Sequence, residues 1–125
     1  MSRIVISFIA TALLAVAVWG TAAAATGACL RVIVVKADNV TSYLHELDKA
    51  RDMAKRLGLA LQIHAYRATY AGAATGELVV TIEYPSFQAM ADAVAKQESD
   101  KEFSAWLKGL DKIRTITSDS LYREL

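Results

Sequence analysis

A single charged side chain, Arg3, stands before Arg31, and the whole chain holds one cysteine, one proline and two histidines. Each scarcity excludes something. With Cys29 alone, no intramolecular disulfide can form, so the fold is not stapled. With His45 and His64 far apart and one thiol, no zinc motif can be written, and no metal site is predicted. Beyond Arg3, basic and acidic residues number thirteen each. A neutral domain with scattered charges has no basic stripe for nucleic acid and no polybasic patch for a membrane surface. The small-residue run at 71–76 lacks the Gly-Lys-Ser/Thr ending of a phosphate loop, and no Gly-x-Ser-x-Gly elbow occurs.

What is present at the start is an export pattern. Arg3 supplies a positive first region, residues 4–19 are apolar and uncharged, and Ala22, Ala23, Ala24 and Ala25 follow Gly20 and Thr21. This order predicts a signal peptide over residues 1–25, cut after Ala25, and a single domain over residues 26–125. The protein is then periplasmic or secreted, with no membrane association after cleavage. Two alternatives remain open. The uncharged segment is long enough to span a bilayer if it is not cut. Thr26, Gly27, Ala28 and Cys29 also faintly follow a lipobox, in which Cys29 would carry the lipid; a buried cysteine is the plainer reading.

The remaining residues alternate between strand and helix patterns. Residues 30–36 are rich in β-branched side chains and nearly all apolar, as in a strand covered on both faces. Asp38 and Asn39 offer helix N-caps. Val40, Leu44, Leu47, Ala50, Ala54 and Leu57 then recur at helical spacing, ending at Gly58, with Asp52 and Arg56 as an i,i+4 pair. Residues 59–70 read as a second strand, with Leu61, Ile63 and Ala65 on one face and Gln62, His64 and Tyr66 on the other. After the 71–76 loop, residues 77–84 form a third strand, with Leu78, Val80, Ile82 and Tyr84 opposite Val79, Thr81 and Glu83. Ser86 caps a helix with Phe87, Met90, Ala91 and Val94 inward. Ser99 and Glu102 form a capping box that restarts it, with Phe103, Trp106, Leu107 and Leu110 inward. Residues 113–121 are a last strand.

The order is β-α-β-β-α-β with a broken second helix, an α+β ferredoxin-like arrangement with a four-stranded antiparallel sheet. Its helices cover one sheet face only. Residues 30–36 are apolar on both faces, so a second cover is required, and an identical sheet supplies it: a homodimer.

Residues 66–72, residues 76–87 with their strand-Pro85-helix junction, and the acidic-aromatic run at 99–107 resemble the dimeric α/β-barrel superfamily. The likeness spans most of residues 30–125. It implies a barrel of two sheets with a cavity in each protomer, in a superfamily that includes small monooxygenases, haem-handling enzymes and proteins of unknown role. Some members use an Asn-Trp-His set. Asn39 and Trp106 are present here, but the second helical region holds no histidine, which argues against haem degradation.

Within the barrel, strand alternation gathers His64, Tyr66 and Gln62 beside Thr81 and Glu83 as candidate ligand-binding residues. His64 could act as a base or ligand, or simply be a hydrogen-bonded interface residue. Glu83 could pair with His64 or Arg67. The functional expectation is a small apolar ligand in the barrel cavity, with no assigned reaction and no assigned cofactor. The alternatives are a monooxygenase-like enzyme acting on a quinone or aromatic compound, and a purely structural dimer. His45 lies on a solvated helix face and is given no role.

Overall fold

A computed structural model describes residues 27–125. The expected signal segment, its cleavage point and Arg3 lie outside the described residues. The elements are β1 (Cys29–Ala37), α1 (Val40–Arg56), β2 (Gln62–Arg67), β3 (Leu78–Tyr84), α2 (Phe87–Ser99), α3 (Lys101–Leu110) and β4 (Arg114–Arg123). The sheet order is β2-β3-β1-β4, with every neighbouring pair antiparallel. This is the ferredoxin-like βαββαβ architecture, its second helical position split into α2 and α3.

Strand limits follow the available hydrogen bonds. β2 is shorter than the 59–70 pattern because Leu59 is still closing α1, donating its N–H to the Ala54 carbonyl, with Gly58 at φ +65° making the turn. At the far end the hairpin closes through Ala68 N–H to Glu77 O and Gly76 N–H to Ala68 O. β4 runs past residue 121 because β1 still offers Leu30 and Cys29 as partners for Tyr122 and Arg123.

The helices bury slightly different faces from the periodicity. In α1, Tyr43, Leu47, Ala50, Met53 and Ala54 are buried, while Leu44 is 39% exposed. The stripe turns by one position because Tyr43 can bury its ring and still have its hydroxyl accept from Arg114 Nη1 at 3.3 Å. In α2 the buried residue is Ala93, with Phe87, Ala91 and Val94 outward of it. Its small side chain lets the helix approach Cys29 and Tyr84.

The break between α2 and α3 also differs from the capping box expected at Ser99. Ser99 ends α2, and Asp100 is the cap, its carboxylate accepting from Phe103 N–H at 2.9 Å. Arg56, expected to pair with Asp52, instead forks onto Asp100 at 2.7 and 3.2 Å and reaches Glu102 at 3.0 Å. An ionised cap held by a guanidinium is stronger than a serine hydroxyl. The Asp100 carboxyl is accordingly held below its ordinary range, first by Arg56 and then by the Phe103 N–H.

Odd-numbered β1 residues meet the helices: Cys29, Ile33 and Val35 are buried. They are continued by Leu78, Val80 and Tyr84 of β3 and by Ile63 and Ala65 of β2. The opposite face carries Leu30, Val32, Val34, Val79, Tyr66 and Tyr122, and no element of the described residues packs over it. A β-bulge complicates β4. Val34 pairs with Ser118 and Val35 with Ile116, leaving Thr117 as the extra residue. Helix-facing residues are therefore Arg114 and Ile116 before the bulge, then Asp119 and Leu121 after it.

Candidate functional site

A partly open cavity of about 400 Å³ lies between the sheet and the helices. Its floor is the helix-facing row of the strands, with Ile33, Ile63, Val80 and Ile82. Its walls are Leu47 and Ala50 of α1, Val94 of α2, and Phe103, Trp106, Leu107 and Leu110 of α3. The cavity exists because residues at its edge are too short or too far outward to fill it. Ala50 contributes one methyl, and Val94 and Ile116 are 36% and 41% exposed.

Three polar side chains reach this apolar space from the sheet: Arg31, Tyr84 and Arg114. Arg31 and Asp119 sit diagonally across β1 and β4, and the guanidinium forks onto the carboxylate at 2.9 and 2.6 Å. That hydrogen-bonded pairing raises the Arg31 pKa and lowers that of Asp119. Burial pushes the Tyr84 phenol up, a shift that the positive charge of Arg31 partly opposes. Arg114 is held differently. Its side chain is 8% exposed, Nη1 donates to the Tyr43 hydroxyl, Nη2 reaches Asp111 Oδ1 at 3.2 Å, and Nε has no partner among the described residues.

Trp106 is a wall residue as well as core. Its Nε1 donates to Glu46 Oε2 at 2.9 Å, and its ring packs against Phe103 with centroids 5.4 Å apart. Lys49 first, and Trp106 after it, hold the Glu46 carboxyl below its ordinary range. Asn39 is elsewhere, capping α1 by accepting from Ser42 N–H, so Asn39 and Trp106 do not converge. Cys29, the first residue of β1, is buried. Its thiol lies 3.7 Å from the Ser86 carbonyl, and burial raises its pKa.

The five residues singled out from the sequence do come together, on the barrel side of the sheet where alternation put them and across it from this cavity. Gln62, His64 and Tyr66 of β2 pair in register with Glu83, Thr81 and Val79 of β3. His64 Nε2 lies 3.9 Å from Glu83 Oε2, and the His64 and Tyr66 ring centroids are 6.2 Å apart. None of the five lines the cavity. Arg67 turns to the Gly76 carbonyl at 3.0 Å rather than to Glu83. The cavity residues Arg31, Tyr84 and Arg114 were assigned no function from the sequence. A signal existed: of the two charged residues in the mostly apolar β1, Arg31 and Lys36, Arg31 is the one that alternation sends under the helices.

No family model matches the chain, and no curated protein matches it. Solved structures do. A NIPSNAP family protein from Agrobacterium tumefaciens superposes with a TM-score of 0.58 at 16% identity, covering 80% of this chain and 85% of that one. SnoaB, a cofactor-independent oxygenase from Streptomyces nogalater, gives 0.53 at 11% identity, over 77% and 89% of the two chains. A protein from Bacteroides thetaiotaomicron named for antibiotic biosynthesis monooxygenases gives 0.52 at 12% identity, over 82% and 90%. The chain has the fold of the dimeric α/β-barrel proteins, a fold that carries oxygenases and proteins of unknown function alike.

Proposed function

We propose that the protein is an exported homodimer that holds a small apolar molecule between its sheet and its helices. The carrying observation is the cavity itself. About 400 Å³ stays open beside the buried core, within the range of roughly 300–1,000 Å³ typical of small-molecule pockets. Its lining is mostly apolar with a few convergent polar groups, the pattern that orients a ligand while burying its body. Residues packed only for structure would close such a space, because an empty apolar void forfeits contacts on every side. On this reading the ligand sits on the helix side of the sheet rather than in the barrel lumen.

The homodimer is supported by the uncovered face of apolar strand residues, including Val32 and Val34, and by the dimeric habit of the fold. Export is supported by the uncharged residues 4–19 and the alanines that follow.

Native mass spectrometry tests the binding reading. The protein purified from its producing cells should carry a small-molecule adduct, lost in Ala50→Phe, where a ring occupies the space beside Ile33 and Leu47. An Ala50→Phe protein that keeps the same adduct, or a wild-type protein that never binds an apolar probe, would sink it.

A further inference from the structure

We infer that the cavity is built for a compact apolar molecule bearing one anionic group, a carboxylate or its equivalent, and that Arg114 receives that group. The inference rests on the cavity-binding reading above and adds the chemical class of the ligand.

The two arginines of the cavity differ in how far they are satisfied. Arg31 forms a short two-pronged pair with Asp119 and behaves as a neutral unit. Arg114 is more deeply buried and less well met. Its bonds to Tyr43 and Asp111 are 3.3 and 3.2 Å, long against the roughly 2.7–2.9 Å of charge-assisted hydrogen bonds, and its Nε–H is buried with no acceptor. A buried donor without a partner costs free energy, and a buried guanidinium more so. Asp111 does little to offset this, since its side chain is 60% exposed and its charge is largely solvated.

Position adds direction. Arg114 opens β4 opposite Ala37, whereas Arg31 lies six residues earlier on β1. At about 3.3 Å per residue the two anchors stand roughly 20 Å apart along the strand. Between them the floor is apolar, and the carboxylates of the lining, Glu98 and Asp111, stand at the ends of α2 and α3 on the helix side. An anionic group at Arg114 therefore leaves the body of its molecule against Ile33 and Val80, and offers the terminal guanidinium nitrogens a shorter, stronger acceptor than Tyr43 and Asp111 give them.

Two fluorescent probes with the same aromatic body test this: anilinonaphthalenesulfonate, which is anionic, and N-phenylnaphthylamine, which is neutral. The wild-type protein should bind the anionic probe at least tenfold more tightly, although an apolar pocket alone would favour the neutral one. Arg114→Met should reduce that preference to within twofold, through loss of affinity for the anionic probe. Asp111→Asn, which removes the competing carboxylate, should strengthen the anionic probe further. Equal wild-type affinities, or a preference that survives Arg114→Met, would overturn the inference. Should Arg114→Met not fold, judged by circular dichroism, the wild-type ratio and the Asp111→Asn response decide it. Failure of both probes to bind, or binding that persists unchanged in Ala50→Phe, would overturn the cavity reading instead.

Discussion

The indole Nε1 of Trp106 donates to Glu46 Oε2 at 2.9 Å, fastening α3 to α1 where both line the cavity. Because Glu46 has a lowered pKa in the folded state, caused first by Lys49 and then by Trp106, its ionised form is the one the fold favours. Its contribution to stability is complete above the ordinary glutamate value of about 4.3 and is lost as pH falls through the lowered one. In the protein beginning at Thr26, where Trp106 is the only tryptophan, acidification should shift the emission with a midpoint below that ordinary value. Glu46→Gln should abolish the transition. A midpoint at or above the ordinary value would mean that the bond is not made.

The Arg31–Asp119 pair is partly exposed, so its energetic weight is small. Asp119→Asn should cost about 0.5–1 kcal/mol in urea unfolding, in the range of well-formed surface ion pairs. Asp119 is also a carboxylate with a lowered folded pKa. Its contribution is present above about 3.9 and fades as pH drops below it. An Asp119→Asn protein that loses as much stability on acidification as the wild type would contradict this.

Assembly is tested on the uncovered face. Val34 lies at its centre, flanked by Val79 and Ser118. Val34→Glu places a charge where an identical sheet would pack and should turn the dimer into a monomer in sedimentation equilibrium, with the far-UV spectrum unchanged. A wild-type monomer at every concentration would refute the assembly.

His64 separates the two faces. It lies across the sheet from the cavity, beside Glu83 and Tyr66. His64→Ala should leave the affinity of either naphthalene probe within twofold of wild type. A larger loss would show that the ligand reaches the barrel side after all.

The export reading is checked by N-terminal sequencing of protein from the extracytoplasmic fraction, where a start at Thr26 is expected. A start at Met1 or Ser2 in membranes would indicate anchoring, and a lipid on Cys29 would indicate a lipoprotein.

Much of the architecture was readable because it rests on period and punctuation. Leu61-Ile63-Ala65 and Leu78-Val80-Ile82 were separable from their polar neighbours by alternation alone, and both sets do pack under the helices. Helix rotation was read less well. Tyr43 and Leu44 are adjacent and both bulky, and the one that is buried packs against Ile33 and Val35 and meets Arg114, all distant in sequence. The cap at Asp100 depended in the same way on Arg56, forty-four residues away. The cavity was harder still, since a void is set by which side chains fall short of meeting. The bulge at Thr117 conceals part of it: even-numbered residues face inward before it and odd-numbered ones after it, so no single alternation along β4 brings Arg114 and Asp119 to one side.

The sheet is one residue thick, and each of its faces serves a different end. Along β1, Arg31 and Ile33 face the cavity, whereas Val32 and Val34 lie on the face proposed to meet a second copy. Substitutions at neighbouring positions therefore draw on separate traits, and drift in one need not trouble the other. A lineage could exchange its ligand by altering odd positions of a single strand while its quaternary structure stayed fixed.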